Sequence, residues 1–266
     1  MRSENTNHHH SSKQHTMSST TNVLITGAGR GLGRGFLTTF LARPNHIVIG
    51  SIRDLDSTTA QDLRAITPAS GSRLILVKIE ATSTTDPADA IRQIEAEGVS
   101  KLDVVIANSG ITGTQGGLET VDPADFMHVL LVNAVAPTAL FNAAQPLFDK
   151  AENPKWVSIS TLMATINGLE KTAAWPSVPY SASKAALNFI TKSIHIWRSN
   201  ITAISVHPGF VATDMGKSGI KFYNLPEEAA ISVEDSVSGV TKLIDNATRA
   251  EHSGKFISYD GSFLEW

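Results

Sequence analysis

The chain has no cysteine, which excludes disulfides, thiolate metal sites and cysteine nucleophiles and fits a reducing, cytoplasmic compartment. Neither sign of charge dominates: the formal net charge is −3, which argues against nucleic acid or an acidic membrane surface as the main partner. A long uninterrupted apolar run is also missing. The most apolar stretch, Met127 to Ala144, is broken by His128, Asn133 and Pro137, so it reads as a buried helix rather than a membrane span. The opening "MRSENTNHHHSSKQHTMSSTT" has no apolar core and reads as a disordered or added tail over residues 1–20, with no secretory signal. His8, His9 and His10 belong to that tail rather than to a metal site, and no other metal ligands are spaced for one. No P-loop lysine is present, which argues against a nucleoside triphosphatase.

Of the 266 residues, 41% are apolar and 18% charged, enough for a large buried core. Short apolar runs alternate with helical patterns: "NVLIT" (22–26), "HIVIGSI" (46–52), "SRLILVKIE" (72–80), "LDVVIANSG" (102–110), "KWVSIST" (155–161), "ITAISVHPG" (201–209) and "GKFISYDG" (254–261). Strands so uniformly apolar belong to a parallel sheet covered on both faces. Their alternation with helices predicts right-handed crossovers and one doubly wound α/β domain of the Rossmann type over residues 21–266, with about seven strands. Ligands of such sheets bind beyond the carboxyl ends of the strands, where the chemistry is therefore expected.

The first strand end carries "TGAGRGLG" (26–33). Gly27, Gly31 and Gly33 let backbone approach a pyrophosphate at the start of a helix, although Leu32 stands where the strict G-x-G-x-x-G pattern needs its last glycine. Four further segments follow in order: "NSG" (108–110), Asn133 in "LLVNAVAP", "YSASK" (180–184) and "HPGFVATDM" (207–215). Together these resemble the motifs of the short-chain dehydrogenase/reductase family, with Ser109 replacing the usual alanine, across essentially residues 22–261. The resemblance implies a nicotinamide-dependent oxidoreductase.

Which nicotinamide is read from the second strand end, where an acidic residue would bind the ribose hydroxyls of NAD. Here Ser51 and Arg53 stand at the tip, with Arg30 nearby; two guanidinium forks suit the 2′-phosphate of NADP(H), while Asp54 serves NAD if the register shifts. Glu80 resembles the family's adenine-side acidic position and equally reads as a strand-end charge. Asn108 is expected to tie the fourth strand to the cofactor's ribose region.

Tyr180 and Lys184 are four residues apart and face one way from a helix. A free phenol, with a pKa of about 10, exchanges its proton poorly near neutrality. A neighbouring ammonium is expected to lower that value and make Tyr180 a general acid toward a carbonyl oxygen. The resemblance further implies that Lys184 binds the nicotinamide ribose, that Asn133 interrupts its helix and holds a water in a proton relay, and that Thr213 and the Val211 backbone hold the carboxamide. It also implies a hydroxyl at the end of the fifth strand that orients the substrate. Alignment favours Thr161, and a one-residue shift selects Ser160. His207 reads as packing.

The insertion 162–179, with Met163, Trp175, Pro176 and two alanines, and the segment 216–232, with Phe222 and Tyr223, are expected to wall the substrate pocket. Flat apolar residues suit an aromatic carbonyl, or else simply pack as a lid. "YSASKAALNFITKSIH", "VHPGFVATDMG" and "GKFISYDGSFLEW" resemble the fungal branch of the family that includes norsolorinic acid ketoreductase, which reduces aromatic polyketides. The leading reading is thus an NADPH-dependent ketoreductase. A secondary alcohol dehydrogenase is the alternative, and a non-catalytic regulator would need the Tyr, Lys or Asn broken. A homodimer or homotetramer through helices 123–148 and 180–199 is implied by the resemblance.

Overall fold

The computed structural model describes residues 20–172 and 176–266. His8, His9, His10, Ala173, Ala174 and Trp175 lie outside the described residues. In chain order the elements are β1 (Thr21–Ile25), α1 (Gly31–Leu41), β2 (His46–Ile52), α2 (Thr58–Arg64), β3 (Arg73–Lys78), α3 (Asp86–Ala96) and β4 (Val104–Ala107). Then come α4 (Pro123–Leu130), α5 (Ala136–Phe148), β5 (Lys155–Ile159), α6 (Leu169–Thr172) and α7 (Val178–Trp197). The chain closes with β6 (Thr202–His207), α8 (Asp214–Tyr223), α9 (Val233–Asn246), β7 (Phe256–Ser258) and β8 (Phe263–Leu264).

The strands form one sheet in the order β3-β2-β1-β4-β5-β6-β7-β8, parallel throughout except for the last pair. The order reverses between β1 and β4, and this is the switch point at which such sheets bind ligands. The seven expected strands are all present, each ending within a few residues of its expected bound. The eighth is an addition. It is two residues long with an exposed Phe263, so it carries no apolar pattern to announce it.

Both faces of the sheet are covered because its strands are apolar on both sides. On one face Phe36, Leu37 and Phe40 of α1 meet Val237, Val240 and Ile244 of α9. On the other, Trp156 is fully buried and takes Phe141 edge-on at 5.4 Å. Each such large side chain contributes about 1.5–3 kcal/mol by leaving water.

The apolar stretch expected to be a buried helix is half-buried instead. Val129, Val132 and Leu140 face inward, while Met127 and Val135 stay exposed. It is also not one regular helix: between α4 and α5 a π-helical turn runs from Leu131 to Val135. Pro137 has no N–H to offer the carbonyl of Asn133 four residues back, and the ladder widens there.

Candidate active site

The turn after β1 is built around Gly27, whose φ of +66° would strain any side chain. At Gly33 the constraint is space, since a Cβ there would sit 2.2 Å from the Gly27 carbonyl oxygen. The turn is pinned from two neighbouring strands. Ser51 Oγ accepts the Gly27 amide at 3.3 Å, and the Ser51 carbonyl accepts that of Ala28 at 2.9 Å. Thr26 Oγ1 accepts the amides of Asn108 and Ser109 at 2.9 and 3.1 Å, while Asn108 Nδ2 donates to the Thr26 carbonyl at 2.9 Å. Asn108 thus fastens β4 to the glycine turn.

The start of α1 has no capping side chain and no acidic residue in its first turn. Its free amides, a close-approach backbone and the helix dipole together fit a pyrophosphate. Leu32 packs on the core beside them. Arg30 and Arg53 are both exposed around this turn. Arg30 is engaged by Asp214 at 2.9 Å, a partner 184 residues away. Beyond β2, Asp54 turns back to accept the Asp56 amide. Glu80 lies two residues past the end of β3, in a turn whose shape comes from Asp86 accepting its amide at 2.9 Å.

Thr213 sits over the cradle: a Cβ on Gly31 would lie 3.3 Å from its methyl group. Its hydroxyl accepts the Gly216 amide at 3.2 Å and caps α8, which is the ordinary work of a threonine at that position. Val211 is buried and bridges to Ile231.

The side chains of α7 complete the site. Asn133, fully buried, receives the Ile111 amide on Oδ1 at 2.9 Å, and its Nδ2 donates to the Ile111 carbonyl and to Ser183 Oγ at 2.8 and 2.9 Å. Ser183 in turn donates to the Tyr180 carbonyl at 2.7 Å. A Cβ on Gly110 would lie 3.1 Å from Asn133 Oδ1 and 3.3 Å from Lys184 Nζ, so the amide and the ammonium meet at one point behind the β4 loop. Lys184 Nζ donates to the Ile159 carbonyl at 2.8 Å.

At the end of β5 the two candidate hydroxyls part company. The Thr161 hydroxyl stands close enough to the phenol of Tyr180 to favour its ionised form, and Thr161 Oγ1 also accepts the Met163 amide at 3.3 Å. Ser160 Oγ is buried with no protein partner.

The expected lowering of the Tyr180 pKa is not what the environment produces. Burial pushes the phenol up to about 12, and the Thr161 hydrogen bond offsets only part of that. The residue as a whole keeps some surface open. Burial also lowers Lys184 to about 8. The spacing of the pair is as expected, but desolvation sets both shifts and neither group owes its shift to the other. His207 is a packing residue: its Nδ1 accepts the Leu162 amide at 3.2 Å, and burial brings its pKa down to about 4.

Thr26, Ser51 and Ser183, which lie inside or beside the quoted motifs without an assigned role, are further members of the site. The first two stand at strand ends beside the glycine turn, which is the signal they offer. An open groove of about 830 Å³ between α1 and α9 shares only Gly31 with this cluster, so convergence of polar groups rather than size locates the site.

A family model described as short chain dehydrogenase matches residues 21–223. A short-chain dehydrogenase of Neurospora crassa (srdF) is 40% identical over 92% of this chain and 97% of its own. The norsolorinic acid ketoreductase of Aspergillus parasiticus is 36% identical over 91% and 90%. Among solved structures, an NADPH-bound carbonyl reductase from chicken fatty liver superimposes with a TM-score of 0.83 at 28% identity, covering 93% of this chain and 95% of that one. The chain belongs to the short-chain dehydrogenase/reductase family and is an oxidoreductase.

Proposed function

We propose that this oxidoreductase is an NADPH-dependent ketoreductase acting on an aromatic, polyketide-type ketone. The observation that carries the reading is Tyr180: a phenol raised to about 12, in contact with the Thr161 hydroxyl, beyond the carboxyl end of β5. The phenol therefore carries its proton at neutrality, the form that reduction consumes. The positive charge of Lys184 and of the nicotinamide is what would bring its pKa down toward the working range during the reaction.

When bound, NADPH supplies the hydride. The amides at the start of α1 receive its pyrophosphate, and Arg30 and Arg53 its 2′-phosphate, with no carboxylate at the tip of β2 to prefer NAD. Thr161 donates to the substrate oxygen and orients the carbonyl. Tyr180 hands its phenolic proton to that same oxygen as it becomes an alcohol. Lys184, fixed by Ile159, keeps positive charge beside the phenolate left behind, and Asn133 orders the loop from which a proton returns. The relatives' names support a ketone substrate. Its aromatic character is supported by exposed apolar residues in the two segments expected to line the pocket, Leu162, Ile166 and Leu169 in one and Phe222 and Leu225 in the other.

Assembly into a homodimer or homotetramer is supported by Phe189, Ile196 and Trp197, exposed together on α7, with Met127 and Val135 on the adjoining helices. Titration with NADPH and NADH, then assay against aromatic ketones and quinones, tests the function. The expected result is binding of NADPH at least about tenfold tighter, and NADPH oxidation that Tyr180→Phe cuts by about 100-fold or more while cofactor binding persists. Binding of neither nucleotide sinks the reading.

A further inference from the structure

Ser177 Oγ lies 2.7 Å from the hydroxyl of Tyr223, joining the start of α7 to the last turn of α8 across 46 residues of sequence. Ser177 is 1% exposed and holds the position before the first turn of α7, yet its side chain makes no capping bond. A serine there ordinarily accepts an amide from the helix's first turn. Pro179 has no N–H to give, and the next amide is that of Tyr180 itself. The hydroxyl is committed instead to a side chain on another element.

The backbone around Ser177 is equally committed. Its carbonyl accepts the Ser181 amide at 2.9 Å, it bridges in parallel to Gly116, and the Gly116 amide donates to the Pro176 carbonyl at 2.7 Å. Three segments therefore meet at this serine: the loop after β4, the helix that carries Tyr180, and α8.

Why α8 needs such a fastening is visible in its composition. The only residues it buries are Gly216 and Gly219, so it contributes almost no apolar side chain to the core. Elements with few buried contacts open locally at low cost. At one end α8 is held by Thr213 over the glycine turn; at the other it is held by Tyr223, whose ring also meets Phe222 edge-on at 4.9 Å.

We infer that Tyr223 is a positioning residue for the reaction: its bond to Ser177 fixes the first turn of α7, and with it Tyr180, while holding the wall formed by α8 at a set distance from the helix that carries the acid. The effect on turnover rests on the ketoreductase reading; the clasp itself does not.

The test uses the full-length protein with Tyr223→Phe, which keeps the ring and deletes only the hydroxyl, with Ser177→Ala, and with the double variant. Amide exchange of residues 178–181 and 215–223 is measured beside NADPH affinity and the kinetics of phenanthrenequinone reduction. Each single variant is expected to speed exchange in both segments and lower kcat/KM roughly fivefold to tenfold, with NADPH affinity held within about twofold. The double variant should be no worse than either single one, because one bond is lost in all three. Unchanged exchange, additive losses, or kcat/KM within about twofold of wild type overturns the inference. If the wild-type chain does not reduce the quinone, the ketoreductase reading is what fails, and the exchange measurements alone uphold or sink the clasp.

Discussion

Lys184 Nζ donates to the carbonyl of Ile159 at 2.8 Å, and this bond holds the ammonium at the end of β5 while burial brings its pKa to about 8. Tyr180 lies well above it, at about 12. The rate of reduction is therefore expected to fall as pH rises through about 8, because Lys184 loses its charge while Tyr180 still carries its proton. A profile of kcat/KM against pH checks this: the limb should sit near 8 and vanish in Lys184→Met, at a lower overall rate. Stability moves the other way. Between about 8 and the ordinary 10.5 the unfolded chain binds a proton at Lys184 that the folded chain has released, so the fold gains stability with pH across that window.

Ser160 and Thr161 are adjacent in sequence and both buried, but their hydroxyls have different neighbours. Thr161 touches the phenol of Tyr180, and Ser160 Oγ is buried without a partner. Thr161→Val keeps the shape and removes the donor, so kcat is expected to fall by about 100-fold or more. Thr161→Ser should retain most activity, and Ser160→Ala should leave kcat within a few-fold of wild type. Steady-state assays of the three variants decide it. A large loss in Ser160→Ala alone would reassign the hydroxyl.

Arg30 and Arg53 read alike in the sequence but differ in the structure. Arg30 is paired with Asp214 at 2.9 Å in an exposed pair. A phosphate competing for Arg30 must share it with that carboxylate, whereas Arg53 makes no salt bridge among the described residues. Arg53→Ala is expected to weaken NADPH binding by at least about tenfold and leave NADH unchanged, and Arg30→Ala to cost less. Fluorescence titration with both nucleotides measures the difference.

These contrasts mark where the sequence was legible. Apolar strands, the glycine turn and the four-residue step from Tyr180 to Lys184 are local patterns, and the fold places them where the patterns say. Asn133 was legible through the resemblance that "LLVNAVAP" carries, whereas the part Pro137 plays in widening the ladder around it is seen only in the structure. What spacing cannot carry is dielectric and distance. The ammonium near Tyr180 is visible in "YSASK", but the burial that reverses the sign of the shift is not. Nor does local pattern announce that Arg30 meets Asp214, or that Ser177 meets Tyr223, since each partner arrives by tertiary folding.

His207 gives the fold an acid limit. Burial holds its ring near a pKa of about 4 against an ordinary 6.5, and Asp260 restores only part of the difference. The neutral ring accepts the Leu162 amide through Nδ1, which a protonated ring cannot do. As pH falls from 6.5 toward about 4, the unfolded chain takes up a proton at this position that the folded chain refuses, so stability present above 6.5 is progressively lost. The loss from this one group amounts to at most about 3 kcal/mol. Because Leu162 begins the segment that follows Thr161, the weakening starts beside the site. His207→Gln, whose side-chain oxygen accepts an amide at any pH, is expected to be less stable than wild type near neutrality and to lose less on acidification. Urea denaturation of both proteins at about pH 7 and about pH 5 checks the sign. An equal loss in the two proteins would assign the acid sensitivity to other groups.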